Sequence, residues 1–124
     1  MYDQDTLSGK VIGCAIEVHR HLGPGLLEST YQHCLSHELR LQGIEHQVEY
    51  PLPVVYKGTH LECGYRIGIL VEKRLLLELK SVSAISEIHK AQILTYMKLS
   101  GVPLGLLLNF NVKILKEGIQ RFKI

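Results

Sequence analysis

Residues 74–80 read RLLLELK. In a strand, side chains alternate between the two faces, so Leu75, Leu77 and Leu79 share one face and Leu76, Glu78 and Lys80 share the other. The first face is purely apolar and belongs in a core. The second sets a carboxylate and an ammonium two positions apart, on a segment whose other residues favour burial. Two readings follow. One is an ion pair at a solvated face, where most charges of this kind sit. The other is a polar site at the end of a core strand.

Working outward, the stretch GYRIGILVE (64–72) reads as a preceding strand joined to it near Glu72–Arg74 as a hairpin. Upstream, HQVEYPLPVVY (46–56) alternates, with Pro51 and Pro53 marking an edge or bulged strand. KG at 57–58 is a turn signal, and THLECGYRIGILVE reads as one strand after it. Downstream, SEIHKAQILTYMKLSG carries apolar residues at helical spacing, with Ser86 as cap and Gly101 as terminator. VPLGLLLNF (102–110) is a continuous apolar run of the kind buried on both sheet faces, and GIQRFKI is a short last strand. Two helices open the chain. The first spans LSGKVIGCAIEVHRHLG, with Ser8 as a cap and GPG at 23–25 as its end. The second runs over about 26–42 and stops at Gly43. The expected order is ααβββαββ, an α/β (α+β) fold with a mixed sheet flanked by helices, in one domain spanning 1–124.

Composition narrows the function classes. Fourteen basic and twelve acidic residues nearly cancel, which excludes a strongly basic nucleic-acid arm but not a local patch from Lys73, Arg74, Lys80, Lys90 and Lys98. Three cysteines without CxxC spacing argue against a disulfide framework or a cysteine zinc site. His33 and His37 have i,i+4 spacing but no HExxH pattern and no third ligand. The N-terminus has no secretory pattern and no apolar run is long enough to span a bilayer, so a soluble, cytoplasmic protein with no membrane partner is expected.

The residues GLLESTY at 25–31 carry a GxxExxY signature. Together with VHRHLGPG, ELK, HKAQILTYMKLSG and GLLLNFN, they make the chain resemble, along nearly its whole length, the GxxExxY protein family, a branch of the PD-(D/E)xK nuclease superfamily. The resemblance implies a restriction-endonuclease-like fold with its active site on the β-hairpin and Mg²⁺ as cofactor. It implies that Glu78 and Lys80 are the (D/E)xK pair, the first a metal ligand and the second a group that assists the attacking water. Gln92 and Tyr96 match a QxxxY element, and Glu28 matches a helical glutamate that supplements the metal site. A backbone carbonyl near Leu79 would add a further ligand, and His89 and Lys90 would contact substrate phosphate. The chemistry is coherent. Mg²⁺ takes one or two carboxylates and completes its shell with water and phosphate, lowers the pKa of its water, and gains from a nearby ammonium that stabilises developing negative charge.

One position departs from the pattern. Where the family reads approximately R-x-D-L-L-V-E, this chain reads RIGILVE, so Gly68 stands in place of the metal-binding aspartate. Strand parity places Arg66, Gly68 and Leu70 on one face. Glu72 lies near the hairpin tip, and Glu62 is about 20 Å away along an extended strand, so neither replaces it. Two functions compete: a Mg²⁺-dependent DNA phosphodiesterase with impaired or lost activity, and a non-catalytic nucleic-acid- or protein-binding module, with a homodimer left open. The first requires Gly68, Glu78 and Lys80 to converge, with Glu28 and Gln92 beside them. Glu78 and Lys80 facing bulk solvent would exclude it.

Overall fold

The leucines around Glu78 have to be buried on both sides, and the fold is arranged to do so. In the computed structural model, which describes residues 4–124, helices α1 (Gln4–Leu22) and α2 (Glu28–Leu41) come first. Strands β1 (His46–Pro51), β2 (Val54–Tyr56), β3 (Thr59–Leu61), β4 (Arg66–Val71) and β5 (Leu75–Lys80) follow, then helix α3 (Glu87–Ser100). Strand β6 (Leu104–Asn109), a 3-10 turn (Leu115–Gly118) and β7 (Ile119–Lys123) complete the chain. The main sheet has the order β1-β4-β5-β6-β7, with β5 and β6 parallel and the other pairs antiparallel. A parallel pair needs a crossover connection, and α3 supplies it. The result is a mixed α+β, restriction-endonuclease-like architecture.

β5 is the middle strand. On one face Leu75, Leu77 and Leu79 pack with Leu104, Leu106 and Leu108 against Leu7, Val11, Leu35 and Leu39 of α1 and α2. On the other, Leu76 and Leu107 pack against Ile93, Tyr96 and Met97 of α3. The alternation expected for 75–79 is therefore observed, and every residue of β6 is buried as well.

Five strands precede α3, not three. HQVEYPLPVVY breaks into β1 and β2 because Pro53 has no N–H to extend a ladder. THLECGYRIGILVE breaks into β3 and β4 across residues 62–65, where Gly64 turns at φ +80 and its N–H donates to Glu62 Oε1 at 3.0 Å. β2 and β3 pair only with each other, around Lys57 and Gly58 with φ of 49 and 79. Ser8 is not a cap: α1 begins at Gln4, and Ser8 lies within it, fully buried. Among the described residues no helix is long and apolar enough to cross a membrane.

The loop before α2 is held by Tyr31. Its ring is fully buried and stacks on Phe110 at 4.5 Å. Its hydroxyl donates to Gly23 O (2.6 Å) and accepts from Leu26 N–H (3.1 Å). Gly25, at φ +98, makes the turn that this closure requires. In GLLESTY, then, the glycine bends the loop, the tyrosine locks it, and Glu28 is presented on the first helical residue. Tyr31→Phe keeps the stacking but strands two backbone groups. It should cost about 1–2 kcal/mol, read as a lower urea midpoint at unchanged slope; an unchanged midpoint would show that the loop closes without the hydroxyl.

Candidate active site

The C-terminal end of β5 is where several chain segments are tied together. Lys80 O accepts from Phe110 N–H at 2.9 Å. The buried Asn109 side chain accepts from Val82 N–H (3.1 Å) and donates to Val82 O (3.0 Å), so the loop after β5 is clamped to the end of β6. Ser81 Oγ donates to Leu26 O at 2.7 Å, bringing the loop before α2 to the same place. These bonds hold the loop before α2, the end of β5, the loop after it and the end of β6 around one point.

Glu78 is the centre of that point. It is only 9% exposed and makes no hydrogen bond or close ion pair with any described residue. Its carboxyl pKa is raised to about 7: burial is the main cause, Lys80 opposes it, and Glu28 and Glu49 add to it. Lys80 does not close on Glu78. Its Nζ donates to Gln92 Oε1 at 3.3 Å, and Gln92 Nε2 donates in turn to Tyr96 Oη at 3.3 Å. Four residues apart on α3, Gln92 and Tyr96 share a face, and Tyr96 is held edge-on by Tyr65 at 6.1 Å. The pair at 78 and 80 is thus not a solvated salt bridge: the carboxylate is buried and the ammonium is directed to α3.

Gly68 differs in detail from the expected parity. Ile67 and Leu70 both join the core on the α3 side, while Ile69 and Val71 join the other, so alternation is interrupted at Gly68. Arg66, Gly68 and Leu70 therefore do not form one regular face. A Cβ at Gly68 would lie 2.7 Å from Gln32 Oε1 and 3.9 Å from Leu77 O. The space that an aspartate side chain would enter is taken by the amide of Gln32, whose Nε2 donates to Glu49 Oε2 at 2.9 Å.

The remaining sequence candidates are distributed as follows. Glu28, exposed, begins α2 and its charge reaches Glu78. His89 Nδ1 accepts from Ser86 N–H at 3.1 Å and so caps α3. Lys90 pairs with Glu87 at an exposed 3.3 Å. Glu62 is bonded to Gly64 and Arg66, and Glu72 to Arg74 at 2.7 Å, so both are committed elsewhere. Lys73 and Arg74 precede β5 while Lys80 ends it, about 20 Å away; the five cations named from the sequence are not one patch. No three His, Cys, Asp or Glu side chains cluster closely enough to hold a metal among the described residues, His33 and His37 included. A cavity of about 820 Å³ lies toward the β4–β5 turn, lined by Ser36, Arg40, His46 and Glu72 among others, and no expected site residue borders it.

Sequence reasoning missed Gln32 and Glu49. Glu49 reads as one more polar position in an alternating strand, and nothing local says that it stands across from Gly68.

A family model of the PD-(D/E)XK nuclease superfamily matches residues 5–122, and the chain belongs to that superfamily. No curated protein and no solved structure matches it.

The raised pKa of Glu78 has a thermodynamic sign. Because the folded state holds the proton more tightly than the unfolded chain, the stabilisation is full below pH 4.5 and is lost as pH rises toward about 7. Glu78→Gln removes this dependence. In EDTA it should match wild type near pH 4.5 and be more stable by on the order of 3 kcal/mol above pH 8, measured by urea unfolding. Equal stability at both pH values would mean that Glu78 is hydrated in solution.

Proposed function

We propose that this chain is a single-domain member of the GxxExxY branch and a Mg²⁺-dependent phosphodiesterase acting on DNA, working more slowly than a site with an acid at position 68. The observation that carries this reading is Glu78: a glutamate only 9% exposed whose carboxylate bonds no described residue, beside a lysine anchored to Gln92. A carboxylate kept for structure alone is expected to be bonded or paired, since burying it otherwise costs several kcal/mol.

The residues fit a hard cation. Mg²⁺ needs one or two carboxylates, not three protein ligands, and Glu78 is free to serve, with Glu28 near enough to add its charge. A bound Mg²⁺ would supply an acidified water and neutralise phosphoryl charge. Lys80, positioned by Gln92 and through it by Tyr96, would orient the water and stabilise charge developing on phosphate. Asn109 and Ser81 would keep the end of β5 and the start of α2 in register. Gly68 is the observation that favours a non-catalytic binding module, because β4 contributes no ligand.

The two readings separate in a cleavage assay with single- and double-stranded DNA, in Mg²⁺, in Mn²⁺ and in EDTA. Wild type is expected to cut slowly with metal and not in EDTA. Lys80→Ala should lose about 100-fold or more. Gly68→Asp should cut faster, because the one tight contact of its Cβ is with the flexible end of Gln32. If wild type and Gly68→Asp both leave DNA intact in both metals, the phosphodiesterase reading fails and the binding module stands.

A further inference from the structure

We infer that Glu49, on β1, supplies the carboxylate that β4 lacks at Gly68, forming with Glu78 the anionic pair of the metal site. The inference rests on the phosphodiesterase reading above and names its missing ligand.

Strand register carries the argument. β1 and β4 pair as Val48 with Ile69 and Tyr50 with Ile67, so Glu49 lies between these pairs, across from Gly68. β4 and β5 pair through Ile69 and Leu77, and one step further on lie Gly68 and Glu78. Continued one step past the last paired residues, this register sets Glu49 and Glu78 on the two strands that flank Gly68. Strands are about 4.8 Å apart, so the two glutamates stand on the strands either side of a residue without a side chain, and the Gln32 amide occupies the space above it. An aspartate at 68 would displace that amide. Glycine admits it, and glutamate is longer than aspartate by one methylene.

Other features agree. Glu49 has φ +51, a left-handed conformation that is costly for a residue with a Cβ and that takes its side chain out of the regular alternation. Gln32 Nε2 holds Glu49 Oε2 at 2.9 Å, while Gln32 Oε1 occupies the place of the absent Cβ. Gln32 is thus a positioning residue that steers the carboxylate of Glu49 toward Gly68. On the other flanking strand stands Glu78, nine-tenths buried and without a hydrogen-bond partner, which an acidic cluster at an ordinary surface does not contain. Glu28 lies four residues before Gln32, on the same side of α2.

The test is Mn²⁺ binding to the DNA-free protein, followed by calorimetry and by loss of the free Mn²⁺ paramagnetic resonance signal, with far-UV dichroism to check folding. Glu49→Gln should weaken binding about tenfold or more, since affinity follows ligand charge, and Glu78→Gln should weaken it at least as much. Gly68→Asp should restore binding in the Glu49→Gln background, because it returns a second acid beside Glu78. Glu45→Gln, just before β1, should change nothing. If Glu49→Gln binds Mn²⁺ within about twofold of wild type while Glu78→Gln does not, the role of Glu49 is overturned and the phosphodiesterase reading survives. Failure of Gly68→Asp to restore binding to a folded Glu49→Gln variant would also overturn it. If wild type binds no Mn²⁺, or Glu78→Gln binds as well as wild type, both fall together.

Discussion

A carboxylate at the end of a doubly covered strand is expensive to keep. β5 is flanked by β4 and β6, packed under α1 and α2 on one face and under α3 on the other, and Glu78 inherits the low polarity of that position. The attraction of Lys80 works against the penalty of burial and does not overcome it, since the net shift of the Glu78 carboxyl is upward. An arrangement selected for stability alone would close the ammonium onto the carboxylate. Here the ammonium bonds instead to an amide on α3, and the carboxylate is left poised for something that carries positive charge. On the function proposed above, a divalent cation would offset burial and mutual repulsion of acids at once.

The rest of the sheet end is built to hold that poise. Tyr31 closes the Gly-Pro-Gly loop and so sets where α2 begins; Ser81 joins that loop to the residue after Lys80; Asn109 bonds the next stretch of chain on both its N–H and its carbonyl. None of these residues needs to touch a substrate. Each removes a degree of freedom from an element that carries a charge, and precise placement of charge is what electrostatic stabilisation of a transition state requires.

Much of this was legible in the chain. The period-two pattern over 75–80, the helical periods of the three helices and the apolar run at 104–109 each depend on local alternation, and they lead to a mixed sheet between helices. That Glu78 and Lys80 share a strand face, and Gln92 and Tyr96 a helix face, follows from spacing. The break of the long upstream strands into β1 to β4 was less legible, because a proline or a glycine can bulge a strand or end it, and the choice depends on which neighbour is available to pair.

What the sequence by itself determined is what repeats at short range: which residues share a face, where a helix stops, and that a glycine occupies the position expected for an acid. What only the tertiary structure decided is what lies across from that glycine. The register of β1 on β4, the left-handed turn at Glu49 and the reach of Gln32 from α2 bring together residues 32, 49, 68 and 78. No spacing rule connects them, because hydrogen bonds between separate strands and the packing of a helix over them set those distances. The burial of Glu78 has the same origin: its sequence says carboxylate, and only the covering of both sheet faces leaves that residue nine-tenths buried.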